Sequence, residues 1–217
     1  MKLNKIKIFI VSLLILSAAL LFSCTQYRLK KTLNDYEMEE LTLMKYFASK
    51  KEYMAYLKSD PDKRQEYLED FWKMYDPEVE TRRNEFYMEV KRRFKYADKK
   101  YREQKTPGHL TARGRIYIIF GPPDDVMPGR YSPSPSETRG LDREYFTETW
   151  FYSNPERLEF LFVDELGLGI FSMYKSTPQS RDPITSKVTP MPNIRKPPYR
   201  KRSWEEVQKL KKEGYFK

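Results

Sequence analysis

The sequence predicts an α+β fold: an N-terminal helical region packed on a small, mainly antiparallel β-sheet, followed by a Pro-rich C-terminal extension. Three observations predict it. Apolar residues recur at three- and four-residue steps from about residue 33 to 104, a stretch without glycine. From Arg115 onward they come in short β-branched and aromatic runs separated by Gly- and Pro-containing turns. Residues 175–202 then hold six prolines, which read as an extended linker.

The elements follow in order. Residues 33–58 read as one helix carrying Leu33, Tyr36, Met38, Leu41, Met44, Tyr46 and Phe47, because no Gly or Pro interrupts them. Ser59-Asp60-Pro61 stops it and restarts a second helix with Tyr67, Leu68, Phe71, Trp72 and Tyr75 as its apolar face. Asp76-Pro77 breaks that one. Thr81 stands where a cap would open a third helix to about Gln104, striped by Phe86, Val90, Phe94, Ala97 and Tyr101. Strands are expected at Ile116–Phe120, Glu148–Tyr152, Leu158–Val163 and Ile170–Tyr174, the last two joined by a glycine-containing turn at Asp164–Gly169. The connection 127–146 between the first two is long and rich in Pro, Ser and Gly, a length associated with function or disorder. Ser203-Trp204-Glu205-Glu206 fits a capping box and opens a short helix through Leu210.

The N-terminus reads as a targeting segment. Three lysines and no acid precede an apolar run from Ile8 to Phe22. The run is short for a helix crossing ~30 Å of hydrocarbon and has the size of a signal-peptide core. It closes in Leu21-Phe22-Ser23-Cys24, which resembles the lipobox of bacterial lipoproteins. That resemblance implies a signal peptide at 1–23, a lipid attached to Cys24 and a tether over 24–32. Thr25 and the lack of an acidic run after Cys24 resemble an outer-membrane lipoprotein facing the periplasm. Cys24 is the one cysteine, so its acylation removes disulfides, cysteine nucleophiles and thiolate metal sites together. His109 is the one histidine, which excludes a histidine metal cluster as well.

Charge is unevenly spread. The formal net charge is +10, and residues 195–217 hold nine Lys/Arg against three Glu. Residues 81–105 hold ten Lys/Arg against four acids. A basic helix invites a nucleic-acid or membrane reading. An extracytoplasmic chain seldom meets nucleic acid, so none is expected as a partner, and the basic helix is expected to pack against acidic ones.

Two blocks carry the family resemblance: FWKMYDPEVETRRNEF at 71–86, followed by Arg93 and Tyr96-Ala97, and GHLTARGRIYIIFGPPDDV at 108–126, followed by ETWFY and LEFLFVDELGLG. In that order and spacing they resemble the GWxTD domain, a family of bacterial envelope proteins, many of them lipoproteins. The resemblance runs from about 35 to 175. It implies a helical part over 33–106 and a β part over 107–175, while composition and charge mark 176–217 as a Pro-rich basic tail with a short helix. In the helical block it marks Trp72, Asp76, Pro77, Thr81, Asn84, Glu85 and Phe86. In the second block it marks Gly108, Thr111, Arg113, Gly114, Arg115, Gly121, Pro122, Pro123 and Asp124 as a candidate structural or binding motif. The naming motif is degenerate: His109 stands in the tryptophan slot and Ala112 in the aspartate slot, and Ala112 cannot move a proton.

The motif reads as architecture. Gly108 and Gly114 permit backbone angles closed to other residues, and Thr111 bonds a nearby backbone group. Arg113 and Arg115, two apart at a strand entrance, share a face and are expected to pair with helical carboxylates such as Asp76 and Glu85. Gly121-Pro122-Pro123 ends the strand because proline donates nothing to a ladder. Asp124 and Asp125 bond their own backbone in a turn, and His109 fills the space of the family's tryptophan. No catalytic residue, metal ligand or cofactor is assigned.

The expected function is therefore that of a lipid-anchored, non-enzymatic binding or scaffold component of an envelope complex, with a protein partner. Two alternatives stand beside it. One is a metal-assisted hydrolase using Asp124 and Asp125 on Mg²⁺ or Ca²⁺. The other is a binder of anionic lipid or glycan through the basic tail.

Overall fold

The computed structural model describes residues 27–132, 144–153, 157–176 and 201–216. Cys24 and the signal segment lie outside the described residues, as do 133–143 of the expected long connection and 177–200 of the linker. The fold is α+β, with helices N-terminal to a four-stranded antiparallel sheet. The chain divides into two compact units, 1–69 and 70–217.

The first unit contains α1 (Asp35–Met44), α2 (Lys50–Lys58) and the start of α3 (Arg64–Lys73). The single helix expected over 33–58 is two helices. Each opens with its own capping box: Asn34 with Glu37 for α1, Ser49 with Glu52 for α2. In each box the cap side chain takes one orphan amide while the acid returns to the cap's own N–H, so two chain starts are specified within one apolar pattern. Leu41, Leu43, Met44, Tyr56, Leu57 and Leu68 are buried. Buried Arg64 donates to the Thr32 carbonyl and hydroxyl and pairs with Glu37 at 3.5 Å.

The second unit takes the end of α3, then α4 (Glu85–Lys100), α5 (Ala112–Phe120), the strands and α6 (Trp204–Lys212). Asn84, rather than Thr81, caps α4 by accepting the Tyr87 N–H; Thr81 instead donates to Glu85. The strands β1 (Asp125–Tyr131), β2 (Tyr145–Tyr152), β3 (Leu158–Asp164) and β4 (Ser172–Ser176) pair in sequence order, all antiparallel.

The largest correction concerns Ile116–Phe120, expected as a strand. It is the buried end of helix α5. Ile116 through Phe120 are all buried, and a helix apolar on every side shows no amphipathic period to read. The first strand lies later, at Asp125–Tyr131, and runs into the start of the expected loop. It is an exposed edge strand holding Pro128 and Gly129, and a proline, which donates nothing to the ladder, is accommodated at such an edge. Strand four likewise starts two residues later than expected, at Ser172.

The sheet buries one face. Trp150 lies opposite Phe160, and Glu148 opposite Phe162. Trp150 packs edge-on to Phe162 at 5.0 Å and against Tyr101 at 5.2 Å. Phe120 at the end of α5 meets Tyr152 and Phe160 at 5.4 and 5.3 Å.

The end of the expected tail is a docked element. Ser203 caps α6 with Glu206 in the capping box read from the sequence. Val207 is fully buried, and Lys211 and Gln208 bind the buried carboxylate of Asp70 at 3.0 and 2.9 Å. The Arg202 N–H donates to the Met74 carbonyl at 2.8 Å and its guanidinium to the Asp76 carbonyl.

Candidate functional site

The motif 108–124 forms a 3₁₀ turn, helix α5 and the turn into β1. Its glycines act by close approach. A β-carbon on Gly108 would sit 1.9 Å from the Ala97 carbonyl oxygen, and one on Gly114 1.8 Å from that of Gly108. Backbone therefore packs on backbone where α4, the 3₁₀ turn and α5 meet, so the expectation of special angles at these two positions is corrected. Thr111 caps α5: its hydroxyl accepts the Gly114 N–H at 3.1 Å and donates to the Gly108 carbonyl at 2.9 Å. That is the cap role Thr favours.

Arg113 leaves the first turn of α5 toward the sheet. Its guanidinium pairs with Glu103 at 3.0 Å and with Glu148 of β2 at 3.3 Å. It also lies 3.9 Å from the centre of the Phe171 ring, just before β4. Glu148 in turn accepts the Trp150 indole N–H. The expected partners Asp76 and Glu85 are not the ones used. The expected shared face with Arg115 also fails, because residues two apart on a helix diverge. The role anticipated for Arg113, tying helix to sheet, stands with different carboxylates. A planar fork facing two carboxylates and stacked on a ring is work for arginine rather than lysine.

The Gly-Pro-Pro-Asp segment terminates α5. Gly121 has φ +85°, a left-handed conformation, and a β-carbon there would meet the Arg93 guanidinium at 2.9 Å. Buried Arg93 donates to the Ile119 and Ile118 carbonyls at 3.3 and 3.5 Å, satisfying acceptors that the helix end leaves open. Its Nε bonds Glu89 at 2.8 Å. Hydrogen bonds from Arg92 and Arg93 hold the Glu89 carboxyl below its usual range. The Tyr152 hydroxyl donates to the Gly121 carbonyl at 2.9 Å, and burial pushes that phenol upward. Asp124 accepts the Ser153 N–H at 2.6 Å and Asp125 the N–H of Val126 at 2.8 Å. The first of these bonds crosses to the end of β2, so the expected local turn is half local and half a splice between strands.

His109 stacks on Phe94 at 4.6 Å, and its Nδ1 lies 2.7 Å from Asp98, which also accepts the His109 N–H. The ring thus has a flat packing partner, as expected of a residue in an aromatic slot. Among the described residues no three His, Cys, Asp or Glu side chains gather in a group that could hold a metal ion.

The helical block forms a second knot. Trp72 packs against Phe71, Tyr75, Phe86 and Tyr87, and Tyr75 stacks on Phe86 at 5.1 Å. The Asn84 amide donates to the Trp72 carbonyl at 2.8 Å while its oxygen caps α4. Asp76 is buried beside the exposed Pro77 and accepts the Glu78 N–H at 3.2 Å. Burial and then neighbouring Glu85 push its carboxyl up to about 6, against the Glu78 hydrogen bond and Arg202.

Sequence reasoning missed Glu103, Glu148 and Phe171, and named Arg93 only as part of the family block, without a role. Arg93 carried a signal, since it stands three residues from Val90 on the buried face of α4, where a cation requires a partner. Glu103 and Glu148 carried none, because forty-five residues separate them and only the fold brings both to Arg113.

The family model of the GWxTD domain matches residues 25–167, more than half of the chain, and the chain belongs to that family. No curated protein and no solved structure matches it.

Proposed function

We propose that this GWxTD-domain protein is a lipid-anchored, non-enzymatic binding or scaffold component of the bacterial cell envelope, held to the outer membrane at Cys24 and facing the periplasm. One observation carries the non-enzymatic reading: Arg113, Asp124 and His109 of the motif are committed to internal partners. Arg113 is shared between two carboxylates, Asp124 binds a backbone amide across the sheet, and His109 is held by Asp98. Such groups hold elements in place, whereas a general acid or base needs a proton-transfer path to a substrate. The lipobox-like Leu21-Phe22-Ser23-Cys24 supports the anchor.

The test is a mild-detergent pull-down of the native, membrane-extracted protein from its own envelope. A parallel bait lacks residues 133–143, which spares β1 and β2. A stoichiometric protein partner that is lost with the deletion supports the scaffold reading. A folded, anchored bait that brings nothing down sinks it. Intact mass of the same preparation reads the anchor: Cys24 carrying acyl mass is expected, and an unmodified Cys24 refutes it.

A further inference from the structure

The chain between Cys24 and α1 is basic, short and fixed at its far end. Residues 24–34 carry Arg28, Lys30 and Lys31 and no acid. Tyr27 to Lys30 form a helical turn, in which the Lys31 N–H donates to the Tyr27 carbonyl at 3.3 Å and the Leu33 N–H to that of Lys30 at 3.1 Å. Thr32 then ties the turn to the first unit. Buried Arg64 donates to its carbonyl at 3.1 Å and to its hydroxyl at 2.8 Å, and that hydroxyl donates to the Leu29 carbonyl at 2.8 Å. The Lys30 ammonium lies 6.0 Å from the Tyr53 ring of α2.

The length of chain before the turn says what these cations meet. From Cys24 to Tyr27 the chain reaches at most about 10 Å when fully extended, and the turn adds only about 6 Å along its axis. A lipid on the Cys24 sulfur holds that residue at the headgroup layer. Arg28, Lys30 and Lys31 then stand within about two Debye lengths of the headgroups at physiological salt. A long linker would let the first unit swing clear of the bilayer, and this one does not. The turn is also sided. At 3.6 residues per turn, Tyr27, Arg28, Lys30 and Lys31 fall within an arc of about 160°, and half-buried Leu29 stands opposite. Arg28 and Lys31 are exposed, and Tyr27 is 62% exposed beneath the Lys31 ammonium, 4.9 Å from its ring. A tyrosine with one apolar and one wet end suits a headgroup boundary. Each base near an anionic surface strengthens binding about fivefold.

We propose that Arg28, Lys30 and Lys31, with Tyr27, bind anionic phospholipid headgroups beside the anchor and seat the first unit on the bilayer. The proposal rests on the lipid-anchored reading, and its test supplies the anchor chemically so that the two fail separately. The chain 24–217 has a single thiol, Cys24, which couples to a maleimide-headgroup lipid in vesicles of phosphatidylcholine, alone or mixed with phosphatidylglycerol. Acetylation of each lysine is then timed by mass spectrometry. Phosphatidylglycerol is expected to slow Lys30 and Lys31 about fivefold, with recovery at high salt. Lys209, whose side chain is 76% exposed on α6, should react alike on both vesicles. Arg28→Gln with Lys31→Gln should return Lys30 to its rate on neutral vesicles. Equal rates at Lys30 and Lys31 on the two vesicles overturn the proposal. So does protection of Lys209 and Lys212 in their place, which would give the lipid contact to the basic C-terminus. Intact mass of the native protein reads the anchor independently: an unmodified Cys24 refutes the anchor, while unprotected lysines on the coupled chain refute the headgroup contact alone.

Discussion

At the scale of single residues, buried charges in this protein are mostly paired, and Asp76 is the instructive departure. Burial lifts its carboxyl from 3.8 to about 6, with Glu85 adding to the shift and the Glu78 amide and Arg202 opposing it. Between those values the folded chain keeps the proton that the unfolded chain has lost. Stability from this group is thus full below pH 3.8, falls as pH rises, and is lost above pH 6. The difference is about 3 kcal/mol. Asp76→Asn keeps an oxygen for the Glu78 N–H and removes the titration. Urea unfolding at stepped pH should show a flatter profile from pH 4 to 6.5 and higher stability at pH 7.5 than the parent. An unchanged slope would assign the pH dependence elsewhere. Asp76 was legible in the sequence as a motif residue beside Pro77; its burial was not, because Asp-Pro is also the usual signature of an exposed turn.

At the scale of elements, the protein is organised around α5, a short helix whose two ends are fixed by different means. Thr111 caps its start, and Gly121 with Arg93 closes its end. Arg113 joins it to β2 and to the start of β4. Removing that arginine leaves the Glu103 side chain, 5% exposed, without its cation. Arg113→Met should therefore cost about 3–5 kcal/mol, measured as a lower urea midpoint. Adding Glu103→Leu should recover part of the loss. A double variant no better than Arg113→Met would show that the pair does not carry the coupling. The caps of α5 were present in the sequence as Thr111 and Gly121, nine residues of helix apart. The β-branched run between them outweighed them, since propensity yields to burial when every side of a helix is covered.

At the scale of the whole molecule, each unit holds its own buried cluster, and the C-terminal residues 201–216 belong to the second. Val207 is fully buried, and Asp70 is satisfied by Gln208, Lys211 and Lys73. Val207→Asp places an unpaired carboxylate in that contact. It should release the segment, so that limited proteolysis removes residues after about 200 at a protease dose the parent resists. Equal resistance would mean that α6 is held without Val207. The basic character of the C-terminus is in part used internally, because Lys201 lies over Phe71 and Tyr75 and Lys211 grips Asp70.

The sequence by itself determined the α+β class, a mainly antiparallel sheet whose third and fourth strands form a hairpin, the capping box of α6 and the family. These rest on local signals: short-range periodicity, turn residues and caps, each readable within a dozen residues. Only the tertiary structure decided that Ile116–Phe120 is a helix, that the first strand lies at Asp125–Tyr131, and that Arg113 meets Glu103 and Glu148. Those outcomes depend on burial from all sides and on charges brought together from distant positions. No local pattern encodes which carboxylate a buried arginine will find.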